Sequence, residues 1–180
     1  MISRNRRDKI KELLKKSNDP IKGQCLAEMF EVTRQVIVKD IAIIRAEGVN
    51  IIATPEGYMI TNDNSFQLKR VIAVSHAREN MEDELKTIVK YGATIEDVIV
   101  EHPLYGEIKA MLMIKNLFDL EKFEEKFKNY GAEPLSTLTN GVHLHTISCD
   151  NEEILNSILS ELSEKGYLIQ TKDKEWHINC

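Results

Sequence analysis

Two histidines stand two residues apart in Gly141-Val142-His143-Leu144-His145-Thr146, a run that alternates as a strand does. Successive strand side chains point to opposite faces, so His143 and His145 share a face, with Cα atoms about 6.6 Å apart. Imidazoles at that spacing can converge on one ion. The chemistry on offer is metal ligation, although the same spacing also describes ordinary polar strand positions. Such a site needs more ligands. His76 ends the β-prone run Lys69-Arg70-Val71-Ile72-Ala73-Val74-Ser75, and His102 opens the turn His102-Pro103-Leu104-Tyr105-Gly106. His102 sits where binding residues collect, and either contacts a ligand or shapes the turn. His177, beside Trp176, reads as a tail residue. Cys149 shares the parity of the two strand histidines but lies roughly 13 Å along the strand from His145, too far to share an ion. Cys25 is expected to be small core packing.

The elements that carry these residues follow from periodicity. A helix opens near Asn80, runs through Met81, Leu85, Ile88 and Val89, and stops at Gly92. Residues 94–100 and 108–114 read as a hairpin across the Pro/Gly turn. A charged helix covers about 120–130. Leu135-Ser136-Thr137-Leu138 is expected to pair as a strand with residues 143–149 across Thr139-Asn140-Gly141. The spacing predicts a helix over 152–164, with Ile154, Ile158 and Leu162 inward, and a last strand at Tyr167-Leu168-Ile169. Helices on one face of an antiparallel sheet make an α+β sandwich over residues 68–180.

Residues 1–64 are organised differently. Ile10, Leu13 and Leu14 mark an amphipathic helix over 3–16, and Asn18-Asp19-Pro20 is a turn. A short helix covers about 23–30. After a tight link at Glu31-Val32, Thr33 caps a third helix with Val36, Ile37, Ile41 and Ile44 inward, which ends at Gly48. Two β-prone runs flank Thr54-Pro55-Glu56-Gly57 as a hairpin. This is a winged helix-turn-helix. Arg34 and Gln35, at the start of the third helix, can address guanine and adenine in bidentate fashion, with Thr33 beside them. Lys39 and the cluster Arg4, Arg6 and Arg7 suit phosphates.

Charge divides the chain in the same place. Residues 1–46 carry 11 Lys and Arg against 6 Asp and Glu, and the remainder 13 against 23. A basic head suits a polyanion, here double-stranded DNA. At 42% hydrophobic and 29% charged residues the chain should fold. No apolar run nears the roughly 20 residues that span a bilayer. The N-terminus lacks the apolar stretch of a secretion signal, and the three scattered cysteines fit a reducing compartment. A cytoplasmic protein with no membrane partner is expected.

Two resemblances sharpen this reading. Thr33 through Gly48, followed by Ala53-Thr54-Pro55-Glu56-Gly57-Tyr58, resembles the winged helix of biotin-repressor-type bacterial regulators. The body resembles the three-histidine (3H) domain of the niacin-responsive repressor family NiaR. That likeness rests on Ala73-Val74-Ser75-His76, Asp97 through Ile108, Glu133-Pro134-Leu135 and Gly141 through Thr146. Together they span essentially the whole chain. The resemblance implies an HPr-like body, a homodimer, and repression of niacin uptake, salvage or NAD biosynthesis genes with nicotinic acid as co-repressor. It also implies one divalent metal ion per chain on His76, Glu84, His143 and His145. Three imidazoles and a carboxylate suit Zn²⁺, Ni²⁺ or a similar ion. Position alone does not single out Glu84, because Glu79, Glu82 and Asp83 are its neighbours. His102 and Tyr105 are the candidates for effector contact.

Two rival functions remain. In one the ion itself is the signal that tightens DNA binding. In the other the metal centre activates water as a hydrolytic enzyme does. No separate acid or base is nominated for the second, and a non-enzyme is expected. A biotin-ligase fusion is disfavoured, since the body is short and has no glycine- and arginine-rich adenylate loop.

Overall fold

The computed structural model describes residues 3–60 and 68–169. The chain divides into two compact units, Met1–Ser65 and Phe66–Cys180.

In the first unit, α1 (Ser3–Lys16), α2 (Gly23–Met29) and α3 (Arg34–Ala46) are followed by the hairpin β1 (Ile51–Thr54) and β2 (Gly57–Ile60). Ile10 and Leu14 of α1, Leu26 and Ala27 of α2, and Ile37, Ile41 and Ile44 of α3 close a core with Ile51. These positions recur at helical spacing, so one apolar stripe per helix meets the others. The link from α2 to α3 is short because Glu31 takes a left-handed conformation (φ 53°). Val32 N–H can then reach back to the Ala27 carbonyl at 2.9 Å. Thr33 occupies the N-cap position of α3 with extended backbone, but its side chain makes no capping hydrogen bond. Cys25 is exposed, not packed in the core. It falls on the opposite side of α2 from the buried Leu26 and Ala27.

The second unit is a four-stranded antiparallel sheet in the order β3-β6-β4-β5. Its strands are β3 (Leu68–Ser75), β4 (Thr94–His102), β5 (Gly106–Ile114) and β6 (Val142–Cys149). Three helices, α4 (Met81–Val89), α5 (Leu117–Asn129) and α6 (Glu152–Glu164), share one apolar core with it. Ile72 and Val74 of β3, Ile95 of β4, Ile114 of β5 and Ile147 of β6 meet Leu85 and Ile88 of α4, Leu120 of α5 and Ile158 of α6. The sheet therefore buries one face, as an amphipathic layer must. The α5 helix starts earlier than its periodicity suggests, because Asn116 accepts a capping hydrogen bond from the Asp119 amide. The expected last strand reduces to an isolated antiparallel bridge of Leu168 with Val74, flanked by Ser75 N–H to the Tyr167 carbonyl at 2.8 Å and Ile169 N–H to the Ala73 carbonyl at 2.9 Å.

One expected strand is absent. Leu135–Thr139 forms a 3-10 turn, entered through Pro134 and ended by Asn140 in a left-handed conformation (φ 51°). Its Leu-Ser-Thr-Leu alternation is too short to outweigh the proline before it and the Asn-Gly after it. A second 3-10 turn, Arg78–Asn80, leads into α4.

Candidate metal centre and nucleic-acid face

Strand β6 sets the centre. His143 pairs with Val74 and His145 with Ile72, so both imidazoles point to the buried, helix-covered side of the sheet. His76 follows the last residue of β3. The ends of β3 and β6 come together because residue 141 is glycine: its φ is +92°, and a Cβ there would overlap the His76 carbonyl oxygen. From the helix layer, α4 supplies Glu84, which is 0% exposed. Glu84 lies three residues after Met81 and four before Ile88, in phase with the buried stripe, whereas Glu82 is exposed.

The four side chains meet. His76 Nε2 lies 3.1 Å and His143 Nε2 3.6 Å from one oxygen of Glu84, and His145 Nε2 lies 3.3 Å from the other. Donors about 2.0–2.1 Å from a tetrahedral ion stand roughly 3.3 Å apart, and these three distances bracket that spacing. Donor atoms of His76, Glu84 and His143 all lie within 4.8 Å of one another. His145 falls outside that three-residue set and approaches Glu84 through its second carboxylate oxygen.

Hydrogen bonding shows what such a group lacks. Each ring places Nδ1 on a backbone carbonyl: His76 on Ala77 at 2.8 Å, His143 on Gly141 at 2.9 Å, His145 on Asp97 at 2.6 Å. A carbonyl only accepts, so each Nδ1 carries the proton. In a neutral ring the Nε2 lone pair then faces the Glu84 carboxylate. Lone pair against lone pair is repulsive, so the geometry calls for a cation at its centre, either protons on Nε2 or a metal ion. Protonating all three rings would crowd like charges, since the centroids of His76 and His145 lie 5.0 and 4.9 Å from that of His143. Glu84 Oε1 is buried and accepts no hydrogen bond. An orphaned carboxylate oxygen among imidazoles of fixed tautomer fits a divalent ion, and backbone partners of this kind orient metal-bound histidines.

The electrostatics agree. Burial opposes charge on His76 and His145, yet Glu84 outweighs it and holds both above the ordinary histidine value. Burial likewise opposes ionisation of Glu84, but the surrounding histidines hold its carboxyl well below the usual range. Around the cluster, Lys165 grips both oxygens of Asp83, at 2.8 and 2.9 Å, and Tyr167 O–H donates to Asp83 at 2.9 Å. The Tyr167 ring lies against His76 at 5.4 Å.

Other candidates stand apart from this cluster. His102 ends β4, and its Nδ1 accepts the amides of Leu104 and Tyr105 at 3.2 and 3.4 Å. Its ring stacks on Tyr105, which is 72% exposed. Both residues shape the hairpin tip, and no described contact joins them to the cluster. Cys149 is buried at the far end of β6. His177 lies outside the described residues.

In the first unit, α3 turns Thr33, Arg34, Gln35 and Lys39 outward, all exposed. Val38 shares that face at 47% exposure and was not anticipated. Arg4 is exposed as well. Arg6 is different: it is 9% exposed, and its Nε donates to Asp40 at 2.6 Å. It ties α1 to α3 instead of standing free for phosphate. Arg7 leans the same way, 3.8 Å from Asp40 and 3.9 Å from Glu47. Among the described residues no helix is long and apolar enough to cross a membrane.

Comparison with known proteins follows the same division. Residues 6–59 match the family model of an HTH domain, and residues 69–171 that of the 3H domain. The chain is 43% identical over 169 residues to the probable transcription repressor NiaR of Thermotoga maritima, covering 94% of this chain and 96% of that one. It is 39% identical over 173 residues to the transcription repressor NadR of Bacillus subtilis, covering 94% and 96%. An uncharacterized protein of Methanothermus fervidus is 36% identical over 101 residues, covering 52% of this chain and 16% of that one.

Proposed function

The chain belongs to the NiaR family of transcription repressors, regulators and not enzymes, and on that premise we propose a DNA-binding repressor controlled by nicotinic acid through a metal-loaded 3H module. The head, residues 1–64, reads operator DNA through Arg34 and Gln35. The body, residues 68–180, holds one divalent transition-metal ion on His76, Glu84, His143 and His145. The controlled genes serve niacin uptake, salvage or NAD biosynthesis.

One observation supports the proposal: three imidazoles converge on the buried Glu84 in the second unit, apart from the HTH domain. A bound divalent ion supplies the positive charge that these donors lack. The protein's own share is to hold the rings in place: the Ala77, Gly141 and Asp97 carbonyls fix the tautomers, and Glu84 joins the helix layer to the sheet. Effector bound beside that centre acts by favouring one arrangement of a homodimer, in which two α3 helices face major grooves about 34 Å apart or a multiple of it. Coupling requires a different effector affinity in the two arrangements.

Operator titration with and without nicotinic acid, in metal-loaded and stripped protein, tests the reading. Tighter binding only with ion and nicotinic acid together supports it. Equal affinity in every condition overturns it, and tightening by the ion alone makes the metal the signal.

A further inference from the structure

A cleft of about 500 Å³ opens beside the metal centre. Ser75, His76 and Arg78 line it together with Ser136, Thr137 and Asn140. Gly141 also lines it, and the missing side chain there lets the chain pass tightly against His76. The volume suits a small molecule. Its lining offers hydroxyls, an amide and a single full cation, Arg78, together with His76, whose buried ring is held by Glu84. Such a lining receives a compact, flat anion better than an apolar or cationic ligand.

Arg78 is already engaged. Its guanidinium donates to the Glu133 carboxylate and reaches toward the Ala132 carbonyl at 3.4 Å, while its central carbon stands 5.9 Å from the Phe127 ring centroid. Arg78 and Glu133 lie 55 residues apart in sequence, so the pair crosses from the turn before α4 to the segment before the Leu135–Thr139 turn. Both side chains are substantially exposed, 47% and 60%. An exposed pair of this kind contributes little to stability, so an incoming carboxylate can replace Glu133. A bidentate guanidinium–carboxylate pair is the geometry that Arg favours.

We propose that the Arg78–Glu133 pair is a latch over an effector cleft, and that a small planar carboxylate binds by taking Arg78 from Glu133, with its ring directed toward His76 between Ser75 and Thr137. This rests on the effector reading above and adds the anchor and the internal competitor. Glu133 acts as a built-in pseudo-ligand that sets the affinity threshold.

Calorimetric titration of full-length, metal-loaded protein with nicotinate, benzoate and nicotinamide tests it. Metal content and melting temperature of each variant serve as folding controls. Nicotinate and benzoate should bind, and nicotinamide, which lacks the charge, should bind at least roughly tenfold more weakly. Arg78→Gln should lower nicotinate affinity by roughly tenfold or more with metal content unchanged. Glu133→Gln should raise affinity by about two- to fivefold. In the double variant, Glu133→Gln should add nothing, because the competitor acts only through Arg78. A gain that persists without Arg78 means general repulsion and overturns the latch. Wild-type protein that binds nicotinate but is unaffected by either change defeats this inference alone. Wild-type protein that binds no carboxylate defeats both it and the effector reading.

Discussion

Removing the ion and then raising the pH should destabilise the 3H unit, and the size of the effect follows from the cluster. Glu84 is fully buried and ionised, since its carboxyl is held well below the usual range. Without metal, its counter-charge is the protons on His76 and His145. Both are held above their ordinary value of 6.5. A group with a raised folded pKa contributes stability that is complete below its unfolded value and is lost as pH rises through the folded one. The stripped protein should therefore be most stable near and below pH 6.5 and weaken above it. Once the rings are neutral, Glu84 faces bare lone pairs in a dry site. Breaking a buried pair in this way costs about 3–5 kcal/mol. Relaxation of the histidines puts the expected loss near the lower end, a fall of upwards of about 10 °C in melting temperature for a domain near 100 residues. Ion at a thousandfold excess over its Kd returns about 4 kcal/mol and removes the slope. Scanning calorimetry between pH 6 and 9, with and without chelator, measures both. A stripped protein whose 3H transition holds steady or rises over that range would refute the reasoning.

Three further outcomes follow from the geometry. Gly141→Ala should lose metal, because a Cβ there collides with the His76 carbonyl and parts the strand ends that hold His76 and His143; elemental analysis reads it. Arg6→Ala should lower the melting point of the head by leaving buried Asp40 with only the longer contact to Arg7, 3.8 Å away, a loss of up to about 3 kcal/mol, whereas Arg4→Ala should leave the melting point alone and reduce the salt slope of DNA binding by about 1. Arg34→Ala should lose roughly 1–3 kcal/mol of operator discrimination in binding assays with point-substituted sites.

Much of this was legible in the chain because strand and helix periods are strict. The two-residue spacing of His143 and His145 put them on one face, but which face is buried was less plain: Ile147 and Cys149 share it and are buried, while Val142 and Leu144 stand on the other. Glu84 was less visible beside Glu79, Glu82 and Asp83, yet the stripe of Met81, Leu85 and Ile88 already pointed its position inward. Arg6 carried the same kind of signal: it precedes Ile10 and Leu14 at four-residue steps, as Asp40 sits beside Ile37 and Ile41. Its basic neighbours suggested a phosphate patch, but the helix phase buried it. Cys25 misled by residue type, since its phase in α2 faces out. The latch at Arg78 and Glu133 was out of reach, because a pair that distant in sequence is joined only when both turns are folded.

Metal stoichiometry by elemental analysis, on wild-type protein and on Glu84→Gln and His143→Ala, bears most directly on the centre. One tightly held divalent ion per wild-type chain, and none in either variant while the head still unfolds at its wild-type temperature, is the expected result. A wild-type chain that takes up no ion after reconstitution, or variants that retain it fully, would contradict the assignment of these side chains to a cation.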